Sequence, residues 1–203
     1  MNRPTATVQR ARELVRPHPR VFAGPLDPDR LAERLVEVSE AGYFGAITVL
    51  CPVLNLLQAR GEAIAWVATG DTVFFPPDLA FRGIDVQAVT VVRVAAGTPG
   101  LSSAETLVRS GAFGLVLVDW AGHPHVDEAA LGRLAKLAGE KKTSVVFLTR
   151  KPEAMASLGA AVSLRLTVAV TDLGEAEVTV AKDKHSGPPS RQRERLDGPF
   201  GLY

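Results

Sequence analysis

Apolar residues in this chain come in short runs bounded by Gly, Pro or polar turns, and the runs alternate with helix-like stripes. Ala63–Ala68, with Trp66 and Val67 at its centre, Val89–Val94, Leu115–Asp119 and Ser144–Leu148 are continuous enough to predict strands buried on both faces. Between them, Pro77 to Arg82 predicts a short helix stopped by Gly83. Ser102 or Ser103 predicts a cap for a helix carrying Leu107 and Val108 and ending at Gly111. Asp127–Glu140 predicts a longer helix with Leu131, Leu134 and Leu137 on one face. Lys141-Lys142 follow it, where cations suit the helix dipole. Earlier in the chain, Asp27-Pro28 offers an N-cap followed by Pro, and Leu31, Leu35, Val36 and Val38 predict a helical stripe ending near Gly42. Ala46–Leu50 predicts a strand, and Pro52 opens a helix filled by Val53, Leu54, Leu56 and Leu57 up to Gly61. Pro4, Pro17, Pro19 and Pro25 leave room for a short helix around residues 5–15.

Strands alternating with helices predict an α/β fold with a mostly parallel central sheet flanked by helices. The last third changes character. Ala161–Val170 and Ala176–Lys182 flank the polar turn Asp172-Leu173-Gly174-Glu175, which predicts an antiparallel hairpin at the sheet edge. Beyond Lys184 the chain is rich in Pro, Arg and Ser. The expected organisation is an N-terminal arm and helix over 1–42, a core over 43–184 and a basic, partly flexible tail over 185–203.

With 203 residues, one domain is expected. The single Cys51 excludes an internal disulfide and a cysteine-based zinc site. With no apolar leader and no apolar run of membrane-spanning length, the cytoplasm is the expected compartment. A formal net charge of +1 gives no global field for nucleic acid, so contact with DNA is expected to be at most weak. The charge is nonetheless local. Arg3, Arg10, Arg12, Arg16 and Arg20 crowd the start, and Lys182, Lys184, Arg191, Arg193 and Arg195 crowd the end. Arg pairs readily with carboxylate or phosphate through its planar fork.

Asp119 is the best-placed candidate for chemistry, because ligands of parallel sheets sit at the carboxyl ends of strands. A buried strand ending in an acid is also how nucleotide-hydrolysing cores present aspartate to magnesium. Such a core needs a Gly-x-x-x-x-Gly-Lys-Ser/Thr loop, and the chain contains none. Asp71 follows a strand too, but Gly70-Asp71 reads equally as a turn. His123-Pro124-His125 lacks a third ligand at metal spacing and reads as a surface loop. Cys51 reads as a buried strand-end residue, and His18 is too isolated to form a nucleophilic triad with it. Alternation places Lys182 and Lys184 on one face of a strand and Asp183 on the other.

In order along the chain, these segments resemble the ATPase core of RecA, the bacterial strand-exchange recombinase. Leu107–Asp119, with its Arg109-Ser110-Gly111-Ala112 turn, resembles the RecA helix, turn and Walker B strand. Ser144–Thr149, Ala161–Leu166 and Val178–Lys184 are similar to three later RecA strands, the last being the Lys-x-Lys strand whose lysines in RecA reach a neighbour's nucleotide. The resemblance spans roughly residues 45–203. Its departures are the missing phosphate loop, replaced by Gly42-Tyr43-Phe44-Gly45 and an apolar segment, and Ala68-Thr69-Gly70-Asp71 in place of the water-activating acid. A RecA-like core without that loop resembles the ImuA-type accessory factors of translesion mutagenesis, with SulA-type cell-division inhibitors as the alternative.

The resemblance implies a non-catalytic protein of the DNA-damage (SOS) response with no cofactor and no ATPase activity. Its implied partners are RecA and an ImuB-type polymerase-like protein. Asp119 is then a vestigial Walker B position, and Lys182, Lys184, Arg191, Arg193 and Arg195 are the partner-binding candidates. An ATP-dependent, DNA-binding recombinase paralogue is the enzymatic alternative.

Overall fold

The computed structural model describes residues 25–40, 45–70, 72–95, 100–120, 122, 124–172, 175–185 and 191–195. The predicted helix around 5–15, the N-terminal arginines, Asp71 and His123 lie outside the described residues.

Among the described residues, eight strands form one sheet. In chain order they are β1 (Leu35–Glu40), β2 (Ile64–Thr69), β3 (Val89–Val94), β4 (Leu115–Asp119), β5 (Ser144–Arg150), β6 (Leu164–Asp172), β7 (Glu175–Asp183) and β8 (Arg191–Arg195). Their spatial order is β3-β2-β4-β5-β1-β6-β7-β8. The first six in that order pair in parallel. The antiparallel hairpin β6–β7 and then β8 finish the sheet.

The described helices that cover it are α1 (Pro28–Leu31), α2 (Ala46–Ala59), α3 (Pro76–Phe81), α4 (Gly100–Ser110) and α5 (Glu128–Lys141). One apolar cluster joins Leu31 of α1, Val49, Leu50, Val53 and Leu54 of α2 and Leu79 of α3 to one sheet face. A second joins Ala104 and Val108 of α4 and Leu131, Leu134 and Ala138 of α5 to the other. The α/β class, the parallel sheet and the terminal hairpin are as the hydrophobic pattern predicts. Asp127 caps α5 as expected, accepting from the N–H groups of Ala129 and Ala130 at 3.2 Å. The next helix boundary is different: α4 begins at Gly100, so Ser102 and Ser103 lie within its first turn.

Two further expectations are corrected. The helix predicted through Leu35–Gly42 is instead β1, which lies between β5 and β6. Leu35, Val36 and Val38 fit either periodicity, but each is at most 1% exposed and covered on both faces. Burying such side chains is worth about 1.5–3 kcal/mol each, against helix-propensity differences below about 1 kcal/mol. The strand predicted at Ala46–Leu50 is the first half of α2, and Pro52 lies inside that helix. β-branched Ile47, Thr48 and Val49 suggest a strand, yet the buried positions Ala46, Val49, Leu50, Val53 and Leu54 keep helical spacing. Within residues 185–203, Arg191–Arg195 pairs with β7. The sheet therefore takes one strand from the arm side of residue 42 and another from beyond residue 185.

Candidate functional site at the strand ends

The turn between β1 and α2 sets the geometry. β1 ends at Glu40 and α2 starts at Ala46. A strand followed closely by a helix is the order of elements on either side of a phosphate loop. With Gly45 at the second glycine of Gly-x-x-x-x-Gly-Lys-Ser/Thr, Glu40 stands at the first glycine, Ala46 at the lysine and Ile47 at the hydroxyl residue. Gly45 has a packing reason to remain glycine, since a Cβ there would lie 2.9 Å from Val170 Cγ2 of β6.

Glu40 turns its own carboxylate onto the helix start. Its Oε2 accepts from Ala46 N at 2.9 Å, and the side chain is nearly buried. An anion is favoured there because the first N–H groups of a helix lack internal partners and carry the positive end of its dipole. Burial nevertheless pushes the Glu40 carboxyl up from its ordinary pKa, against the lowering influence of the Ala46 N–H, Arg150 and the Gly45 N–H. Arg150 Nε lies 3.9 Å from Oε1.

Glu40, Ala46 and Arg150 share a small cleft with Asp119, Trp120 and Thr149. These residues come from the carboxyl ends of β1, β4 and β5 and from the start of α2, so the sheet order alone brings them together. Burial pushes the Asp119 carboxyl up to about 6, helped by the neighbouring Glu40 charge and opposed by Arg150 and the Trp66 indole. The Trp66 N–H is buried and satisfies no acceptor with good hydrogen-bond geometry. The Asp119 backbone is firmly placed, its carbonyl accepting from Thr69 Oγ1 at 2.8 Å. Trp120 stacks on Phe147 with centroids 5.0 Å apart and planes at 6°. Two carboxyl groups and one guanidinium lining the same cleft can hold a small polar group. Among the described residues, no group of three or more His, Cys, Asp or Glu is placed to hold a metal ion.

The other predicted site residues lie elsewhere. Lys182 Nζ donates to Gly159 O at 3.2 Å, and Lys184 Nζ to Ala160 O at 2.6 Å. Both lysines thus turn toward the connection between β5 and β6. Burial, reinforced by Lys184, pulls the Lys182 pKa down. Asp183 points the other way, into Arg34 and Arg30, each at 2.8 Å. Burial alone pushes its carboxyl up, but the His185 N–H and the two guanidiniums outweigh this and hold it well below the usual range. Arg191 and Arg193 are exposed on β8, and the backbone of Arg195 ends that strand. Cys51 is buried, and burial pushes its thiol up to about 12, where it is inert at neutral pH.

Glu40 and Ala46 are the site residues that sequence reasoning missed. The available signal was Gly45 five residues after Glu40, but the motif is recognisable only once β1 is a strand and α2 a helix.

The chain is 31% identical to the RecA protein of Chlorobium limicola over 139 residues, 68% of this chain and 37% of that protein. Chlorobaculum parvum RecA gives 31% over the same length, and Lactobacillus acidophilus RecA 27%. The chain is a distant relative of RecA. It spans less than two-fifths of the length of these RecA proteins. No family model matches it.

Proposed function

We propose that this chain is a non-catalytic, RecA-like accessory protein of the DNA-damage response. In this reading it is of the ImuA type and acts in translesion mutagenesis by binding RecA, a mutagenic polymerase complex, or both. The observation that carries the reading is Glu40 on the N-terminus of α2, with Ala46 and Ile47 where phosphate binding calls for Lys and Ser or Thr. A buried carboxylate at that point repels a phosphate and occupies the N–H group it would use. The distant RecA relationship supports a role near recombination and repair, and the closed strand-end site supports action through surfaces rather than through ATP hydrolysis.

The proposed partners are RecA and an ImuB-type polymerase-like protein, met in the cytoplasm, with DNA contact weak. No helix among the described residues is long and apolar enough to cross a membrane. Lys182 and Lys184, directed at their own chain, serve to hold the β5–β6 connection. Exposed Arg191 and Arg193, with Arg195 next on the same strand, are then the leading partner contacts. The test is co-precipitation of the purified chain with RecA assembled on single-stranded DNA, and separately with the polymerase-like protein. Capture by at least one is the expected result. Absence of binding to both, with and without residues 185–203, refutes the proposal.

A further inference from the structure

Among the described residues the outermost strand on this side of the sheet is β8, whose sequence is Arg-Gln-Arg-Glu-Arg. Alternation puts Arg191 and Arg193 on one face of this strand, about 6.7 Å apart. Arg193 lies opposite Glu177 of β7 in the ladder, and Arg191 opposite Thr179. Arg191 Nη1 reaches Glu177 Oε1 at 3.1 Å and Arg193 Nε reaches Oε2 at 3.8 Å, yet both arginine side chains stay mostly exposed, at 63% and 74%. One carboxylate on the inner neighbour is thus shared by two guanidiniums. Among the described residues, no strand pairs with the outer edge of β8.

We propose that the outer edge of β8 is a docking site for an extended acidic segment of a partner protein. The segment adds as a ninth strand, with acids at every second position facing the arginines. Edge strands accept such additions through main-chain hydrogen bonds, and alternate side chains supply the specificity. The Glu177 contacts display the same pairing from the opposite side. A second copy of β8 is disfavoured, because self-pairing sets Arg against Arg. The chain's own N-terminal segment does not complement the edge either: residues 1–24 hold five arginines and one acid, Glu13. Single-stranded nucleic acid fits less well, because the described residues on this face of β7 and β8, Glu177, Thr179, Arg191 and Arg193 among them, include no aromatic side chain for base stacking. This inference rests on the proposed role as a binding protein and names the chemistry of the partner.

The test is fluorescence anisotropy on the full chain with a labelled peptide of alternating Glu and Val. Controls are a peptide of the same composition with its glutamates contiguous, a peptide with Pro at its central valine, and a single-stranded oligonucleotide. The alternating peptide is expected to bind at least tenfold more tightly than each control. The double substitution Arg191→Glu with Arg193→Glu is expected to weaken it at least tenfold, and a Lys-Val peptide to regain affinity for that variant. These exposed ion pairs carry little stability, so the variant is expected to fold, as circular dichroism will verify. Equal binding of the contiguous peptide or the oligonucleotide overturns the inference, as does a lack of peptide binding at millimolar concentration. RecA capture is scored separately: peptide binding without RecA capture supports the docking site and refutes only the RecA reading.

Discussion

β1 carries two buried carboxylates three residues apart, and they live in opposite circumstances. Glu37 is fully buried and fully answered. Lys151 Nζ lies 2.5 Å away, Thr149 Oγ1 and Leu158 N donate at 3.0 Å, Ser157 Oγ at 2.9 Å, and Arg165 lies at 3.9 Å. Glu40, three residues further toward the strand end, has the helix-start N–H groups and a distant arginine. Glu37 ties the irregular segment after β5 to the sheet centre, so its charge holds the fold together. Glu40 stands at the carboxyl end of the strand, where it accepts from the first N–H of α2 and lines a small cleft with Asp119 and Arg150. The same residue type in the same strand therefore anchors the fold in one place and caps a helix beside a cleft in the other.

The largest expected effect tests the first half of that contrast. Glu37→Gln leaves Lys151 and Arg165 buried without their counter-charge, a change that costs about 3–5 kcal/mol. Urea unfolding followed by circular dichroism is expected to show a loss of that size. A loss under about 1 kcal/mol, the scale of an exposed pair, would mean that Glu37 is not the anchor of this network.

The next effect belongs to Asp119. Its carboxyl titrates near 6 in the folded chain, against about 3.9 when unfolded. The folded state therefore binds the proton more tightly. This residue's contribution favours folding most below about pH 4, weakens as pH rises toward 6, and is flat above that. Asp119→Asn is expected to remove that slope and to stabilise the chain at about pH 8 by up to about 3 kcal/mol. Asp183 has the opposite sign: its ion pairs stabilise the fold above the ordinary carboxylate range and are lost as pH falls below it. Comparing the pH–stability curves of wild type and Asp119→Asn isolates the first effect from the second. Parallel curves would contradict the assignment.

Glu40→Ala is expected to cost less, about 0.5–2 kcal/mol, the range for losing a carboxylate or hydroxyl cap at a helix start. It also removes the like charge beside Asp119, so the Asp119 carboxyl is expected to titrate lower by carbon-13 NMR. An unchanged Asp119 titration would show that the two carboxylates do not interact. Arg191→Ala is expected to change stability by less than about 0.5 kcal/mol, because its pair with Glu177 is exposed. A larger loss in thermal unfolding would mean that β8 depends on this pair.

The strands whose apolar runs are continuous were legible in the amino-acid sequence. Leu115–Asp119 and Ser144–Leu148 are buried on both faces, so nothing competes with the strand reading. Asp119 was legible as a candidate for the same reason, since a strand end is a position and not a contact. The first third was not legible. Glu37 and Ser39 interrupt the apolar run of β1, and the residues that make them tolerable, Lys151, Thr149, Ser157 and Arg165, lie more than 100 residues away. In α2, β-branched residues at 47–49 argue locally for a strand, and only packing on the sheet makes their helical spacing decisive. Misreading both elements hid Glu40, because its role depends on a strand ending and a helix beginning a few residues apart. Lys182 and Lys184 were legible as a pair sharing one face, but their carbonyl partners at Gly159 and Ala160 come from a separate segment of chain.

The central claim is that the nucleotide position of this RecA-like core is closed by the chain's own carboxylate. Isothermal titration of the purified chain with ATP and magnesium tests it most directly. A micromolar complex corresponds to about −8 kcal/mol and gives an unmistakable isotherm. The account predicts no binding heat up to millimolar ATP and no release of phosphate. A micromolar isotherm, or turnover that disappears on Asp119→Asn, would contradict it.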